Sequence, residues 1–138
     1  MRYLGLDLGS KTLGIAISDP SGMIASSYQI LRHNEEYERL VDEVALLVKE
    51  KNIDKIVLGF PKNMDNSIGF KGELSIKFKE KLEKKTNKEV ILQDERLTTR
   101  QVESMLILND TSRKKRKKVI DSLAATVILQ SYLDRKDR

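Results

Sequence analysis

Residues 4–18 read LGLDLGSKTLGIAIS. Two apolar runs, Tyr3–Leu8 and Leu13–Ser18, flank Gly9-Ser10-Lys11-Thr12, so the spacing predicts two short strands joined by a tight turn. In the first run Leu4, Leu6 and Leu8 alternate with Tyr3, Gly5 and Asp7, which puts Asp7 on the face of Tyr3 and Gly5, near the end of the strand. A carboxylate there is costly to bury unless something positive meets it. Gly5 and Gly9 leave room around it.

Beyond this hairpin, Asp19-Pro20-Ser21-Gly22 is a turn signal, and a third strand over 25–31 completes an antiparallel meander. The period then changes. Tyr37, Leu40, Val41, Val44, Leu47 and Val48 trace one buried face of a helix, with Asn34 placed to cap it. Glu35, Glu36 and Glu38 stand near its N-terminus, where the helix dipole favours anions. Ile53–Phe60 reads as a strand, followed by a turn-rich loop and a helix over 72–85 built on Leu74, Phe78 and Leu82. Val90–Gln93 is a further strand, Thr98 and Gln101 form a capping box for a helix reaching residue 108, and a last helix covers 119–133. The order β-β-β-α-β-α-β-α-α predicts parallel pairing in the second half. The fold class is α/β, a mixed five-stranded sheet with helices on its faces, an arrangement that resembles the ribonuclease H-like fold.

With 138 residues, 39% of them hydrophobic and 34% charged, the chain reads as one domain over 1–138 with a core of its own. It has no cysteine, which excludes disulfides, thiolate metal sites and a thiol nucleophile. Its apolar runs fall far short of the ~20 residues that span a bilayer. The N-terminus enters a strand directly, so a cytoplasmic protein with no membrane partner is expected. The net charge of +5 favours a polyanion. Arg113, Lys114, Lys115, Arg116, Lys117 and Lys118 are consecutive cations, whereas Glu35 to Glu43 is acidic. Such concentration suits a directed contact with phosphates, although a solvated loop is the other common fate of a charge run.

Two further acidic points stand out. Asp94-Glu95 closes an apolar strand, where consecutive residues face opposite ways, so one of the two can share a face with Asp7. A strand-end salt bridge to Arg96 would account for the pair equally well. Asp121 lies in the last helix on the stripe of Ala125 and Ile128, and Ala124 and Ala125 are small enough to let that stripe approach the sheet. Lys117 one turn earlier offers Asp121 an ordinary helical ion pair, and Asp7 by itself could be a turn aspartate. Three acids from a first strand, a later strand end and a last helix can nevertheless converge in this topology and hold one or two Mg²⁺ or Mn²⁺ ions, which assist phosphodiester hydrolysis by water without a protein nucleophile. The one histidine, His33, reads as an exposed loop residue.

These residues also carry a family resemblance that runs nearly end to end. Leu6-Asp7-Leu8-Gly9 with Leu13-Gly14-Ile15-Ala16, Leu58-Gly59-Phe60-Pro61 with Asn63-Met64-Asp65, Asp94-Glu95-Arg96-Leu97-Thr98-Thr99, and Asp121-Ser122-Leu123-Ala124-Ala125 resemble, in order, the four blocks of the YqgF or RuvX family. That family comprises pre-16S ribosomal RNA nucleases related to RuvC-type Holliday junction resolvases. The chain departs from the pattern at Lys62, Asn66 and Ile68, all in the central loop. The resemblance implies catalytic, metal-ligating roles for Asp7, Glu95 and Asp121, with Asp94 as the alternative to Glu95. It places Lys11, Arg96 and Thr98 along a phosphate path and Asn63 and Asp65 on a loop beside the site. The implied cofactor is Mg²⁺ or Mn²⁺, and the implied partner is structured RNA, either pre-16S rRNA or a pre-ribosomal particle, met by a monomer or homodimer.

Three other readings compete. Branched DNA would be resolved by the same chemistry, a binding module would keep the basic run without turnover, and Asp7-Leu8-Gly9 also resembles the first phosphate motif of actin-like phosphotransferases. The last normally need two such domains, and no second phosphate block is visible.

Overall fold

The computed structural model describes residues 1–60, 70–94 and 113–136. Its elements are β1 (Tyr3–Leu8), β2 (Thr12–Ser18), β3 (Ala25–Arg32), α1 (Tyr37–Glu50), β4 (Lys55–Phe60), α2 (Phe70–Thr86), β5 (Val90–Asp94) and α3 (Arg113–Lys136). The helix expected over 98–108 lies outside the described residues.

The meander forms as its alternation predicts, and the five strands lie in the order β3-β2-β1-β4-β5. β1 pairs antiparallel with β2 and β2 with β3, while β1 with β4 and β4 with β5 are parallel. The period of two divides the sheet's side chains between two layers. Leu4, Leu6, Leu13, Ile15, Ile56 and Leu58 face α1 and α2, where they pack with Leu40, Val44, Phe78 and Leu82. Tyr3, Ala16 and Val57 face α3, where they pack with Ala125, Ile128, Leu129 and Leu133. Each fully buried leucine or isoleucine contributes about 1.5–3 kcal/mol to this assembly.

The α3 face of the sheet is built from small residues, and the helix sits close to it. A Cβ placed on Gly5 would lie 2.7 Å from the Leu129 Cβ and 3.1 Å from the Ala125 carbonyl oxygen. Gly5 is therefore the seat of α3 on β1. Further along the helix, the Ala25 N–H donates to the Gln130 side-chain oxygen at 2.8 Å, and the Ser27 and Thr126 hydroxyls meet at 2.8 Å.

Two expectations about helix ends are corrected. The first concerns α1, which begins at Tyr37 with Glu36 at its N-cap and no side-chain cap. Asn34 instead donates its backbone N–H to the Glu36 side chain at 2.7 Å, and Glu35 takes a left-handed φ of 66° that carries the chain from β3 into the helix. The second concerns α3, which begins at Arg113, so the basic run is helical from its first residue rather than a loop before residue 119. Lysine and arginine are good helix formers but supply no apolar periodicity to reveal it.

Candidate active site

The parallel strands β1, β4 and β5 end side by side. Leu6 stands opposite Leu58, Leu58 opposite Leu92, and Phe60 opposite Asp94. In sheets of this kind the crevice at the carboxyl ends of the strands is where ligands bind, and Asp7 lies at that end of β1. Its partner on β2 is Gly14, which has no side chain to crowd it. Asp7 is half-buried.

Alternation settles its face. The Tyr3 ring centroid is 5.7 Å from that of Tyr132 on α3, and Gly5 abuts Ala125 and Leu129, so Asp7 follows on the α3 side. The helix runs antiparallel to β1, since rising numbers in the strand meet falling numbers in the helix. Two strand residues advance ~6.6 Å and four helical residues ~6 Å. Moving from Gly5 to Asp7 therefore corresponds to moving from Ala125 to Asp121, and the register brings the Asp121 position level with Asp7. The Asp7 and Asp121 backbone positions thus fall at the same end of the β1–α3 layer.

The same antiparallel course carries the N-terminal end of α3 beyond the edge of the sheet. Arg113 precedes Asp121 by eight residues, or about 12 Å of helix. Arg113, Lys114, Lys115, Arg116, Lys117 and Lys118 thus stand at the site end of the molecule. On β5, the Arg135 guanidinium of α3 donates to the Gln93 side-chain oxygen at 2.7 Å, which places Gln93 on the α3 face. Asp94 is the last residue of the strand. Lys11 is exposed at the β1–β2 turn, where its ammonium donates to the Asn34 side-chain oxygen at 3.4 Å. Asn63, Asp65, Glu95, Arg96 and Thr98 lie outside the described residues. Among the described residues, no three His, Asp or Glu side chains form a cluster.

His33 corrects the sequence reading. It is buried at 6% exposure, its Nε2 lies 2.9 Å from the Gly9 carbonyl oxygen, and the Glu35 N–H donates to its Nδ1 at 3.0 Å. A signal for this was present. In a three-strand meander the residue after β3 must fall beside the β1–β2 turn, and that turn carries peptide groups in need of partners.

Comparison with known proteins places the chain. The family model described as "RuvX: Holliday junction resolvase" matches residues 1–135, and the chain belongs to this family. A Bacillus cytotoxicus protein is 53% identical over 137 residues, covering 99% of this chain and 100% of its own length. A Bacillus subtilis protein is 53% identical over 135 residues, covering 97% and 98%. Both bear the name "Putative pre-16S rRNA nuclease". Among solved structures, Thermus thermophilus RuvC superposes with a TM-score of 0.58 at 13% identity, covering 99% of this chain and 97% of that one. The fowlpox virus Holliday junction resolvase gives 0.56 at 18% identity, covering 97% and 99%. At these identities the likeness is one of fold, and the fold is ribonuclease H-like.

Proposed function

We propose that this chain is a nuclease that hydrolyses phosphodiester bonds in structured RNA, with the precursor of 16S rRNA as its substrate, in the cytoplasm, and that residues 1–138 form one catalytic domain. The observation that carries the reading is the register across β1 and α3, which brings Asp7 and the Asp121 position to the same end of the same face, beneath a helix-borne run of cations. The relatives' shared name supplies the substrate.

Asp7, Glu95 and Asp121 would hold Mg²⁺ or Mn²⁺. The donor chemistry fits a hard cation. The chain has no cysteine, and its one histidine spends both ring nitrogens on backbone groups, which leaves carboxylate oxygens as the ligands on offer. Alternation supports Glu95 over Asp94. Gln93 is on the α3 face, so alternation along β5 turns position 94 to the other. Such ions, when bound, stabilise the negative charge that develops on the phosphate oxygens.

The other residues bind and orient. Lys11 extends from the turn next to Asp7 and supplies a point charge for a phosphate, and the family resemblance assigns Arg96, Thr98, Asn63 and Asp65 to the same substrate. The cations of α3 attract the RNA backbone and release its counterions. They crowd a helix N-terminus whose first turn holds no acid, an arrangement the helix dipole opposes until an anion arrives.

The test is to incubate the protein with a 5′-extended 16S precursor RNA and, separately, a four-way DNA junction, each with Mn²⁺, Mg²⁺ or EDTA. Asp7→Asn and Asp121→Asn variants are run alongside. Cleavage of the RNA that requires the cation and falls about 10²–10³-fold in each variant is expected. Cleavage of the junction alone would turn the assignment to a resolvase, and salt-sensitive binding without cleavage of either would leave a binding module.

A further inference from the structure

His33 follows β3 directly, and the β2–β3 register brings it to the β1–β2 turn. Arg32 pairs with Thr12, and the His33 N–H donates to the Lys11 carbonyl oxygen at 2.9 Å. The hydrogen bonds of the ring select one tautomer. Because the Glu35 N–H donates to Nδ1 at 3.0 Å, Nδ1 offers a lone pair, and a neutral imidazole then carries its proton on Nε2. Nε2 stands 2.9 Å from the Gly9 carbonyl oxygen and 3.3 Å from that of Thr12, both acceptors. One N–H therefore donates into the mouth of the turn, where the Gly9 N–H also donates to the Thr12 carbonyl oxygen at 2.8 Å. The Tyr37 ring flanks the imidazole, centroid to centroid 5.8 Å, and packs in turn against Phe78 at 6.4 Å, which ties the histidine to the core.

Packing alone leaves this turn room to shift. A cavity of about 80 Å³ lies against Leu8, Gly9 and Ser10, between them and Glu35, Tyr37 and Leu74. Ser10 and Lys11 are exposed. What holds the turn is its hydrogen bonding, and His33 provides two of those bonds, one from its backbone and one from its ring.

We infer that His33 is a positioning residue: its neutral, Nε2-protonated ring fixes the β1–β2 turn, and through the turn the place of Asp7 at its root and of Lys11 at its tip. The effect on cleavage rests on the nuclease reading, whereas the effect on the turn does not.

Three variants test it. His33→Gln keeps an N–H donor at the reach of Nε2. His33→Leu removes donor and acceptor at similar volume. His33→Asn keeps an acceptor near Glu35 but is too short to serve Gly9, and it stands in for the leucine variant should that one not fold. In the wild type at pH 8, long-range ¹H–¹⁵N correlation is expected to show a protonated Nε2 and a bare Nδ1. Amide exchange at Ser10, Lys11 and Thr12 is expected to quicken about tenfold in the leucine or asparagine variant and to stay within about threefold in the glutamine variant. At a temperature where all are folded by circular dichroism, kcat on the precursor RNA is expected to fall about 10–100-fold in the former and to return to within about threefold in the latter.

Unchanged exchange in the turn, or a wild-type ring protonated on Nδ1, overturns the inference whatever the cleavage assay gives. Faster exchange with undiminished kcat overturns the link from turn to site. A wild type that cleaves no RNA refutes the nuclease reading separately, and the exchange rates still decide whether His33 holds the turn.

Discussion

Replacing Gly5 with alanine adds one methyl group where α3 rests on β1. That methyl would lie 2.7 Å from the Leu129 Cβ and 3.1 Å from the Ala125 carbonyl oxygen, against an ordinary separation of about 3.5–4.0 Å. Neither neighbour can swing away, since one is a Cβ fixed to the helix backbone and the other is the backbone itself. The helix must retreat by about 1 Å, and overpacking of this kind costs about 1–3 kcal/mol. For a chain of this size the melting temperature should drop by about 3–9 °C. The retreat also opens the gap between β1 and the Asp121 position one turn further along. A shift of about 1 Å between groups that act together can lower a rate about 100-fold. The assays are thermal melting by circular dichroism and cleavage of precursor RNA well below the melting transition. A variant that melts with the wild type would refute the claim that Gly5 seats the helix. A variant that melts early yet cleaves at the wild-type rate would refute the claim that this seat sets the geometry of the acids.

Other outcomes are expected on the same reasoning. Replacing Lys114, Lys115, Lys117 and Lys118 with glutamine should weaken RNA binding and flatten its log–log dependence on salt by about 0.7–0.9 for each phosphate that is no longer neutralised, read by titration at several salt concentrations. The Asp19 carboxylate accepts the N–H groups of Ile24 and Met23, each at 2.9 Å, and the hydroxyl of Ser21. With the Ile24 bond as the largest cause, then the Ser21 and Met23 bonds, its pKa lies well below the usual aspartate range. A depressed pKa gives stability that is present above the unfolded value and is lost on acidification. Asp19→Asn should therefore melt below the wild type at pH 7, with the gap closing below about pH 4 in a series of melts across pH. Phe78, 1% exposed beneath Tyr37, should cost about 3–5 kcal/mol when cut to alanine, measured by urea unfolding.

The parts of this fold that were legible in the sequence are those where local pattern and final packing agree. Leu4, Leu6, Leu13 and Ile15 alternate with smaller residues because they fill the space under α1 and α2, while Gly5 and Ala16 between them let α3 approach the other face. Leu40, Val41, Val44, Leu47 and Val48 repeat at helical spacing because one side of α1 rests on the sheet. Asp7 could be assigned its face from Tyr3 and Gly5 for the same reason. What was not legible depends on partners distant in the chain. His33 looked exposed because nothing beside it is apolar, yet its ring is buried by a turn more than twenty residues earlier. The start of α3 was hidden because its first six residues are all charged. Asn34 had the composition of a cap, but the left-handed Glu35 carries the chain past it before the helix starts.

The division of the acids between the first strand and the last helix has a consequence for synthesis. Ribosomes make β1 first and α3 last, and domains fold from the N-terminal side as they emerge. Until α3 is released, Tyr3, Ala16 and Val57 lack the cover of Ala125, Ile128, Leu129 and Leu133. A nascent or prematurely ended chain is thus a sheet with one bare apolar face and an incomplete site. The α3 side of the proposed site is therefore added only once that helix has left the ribosome.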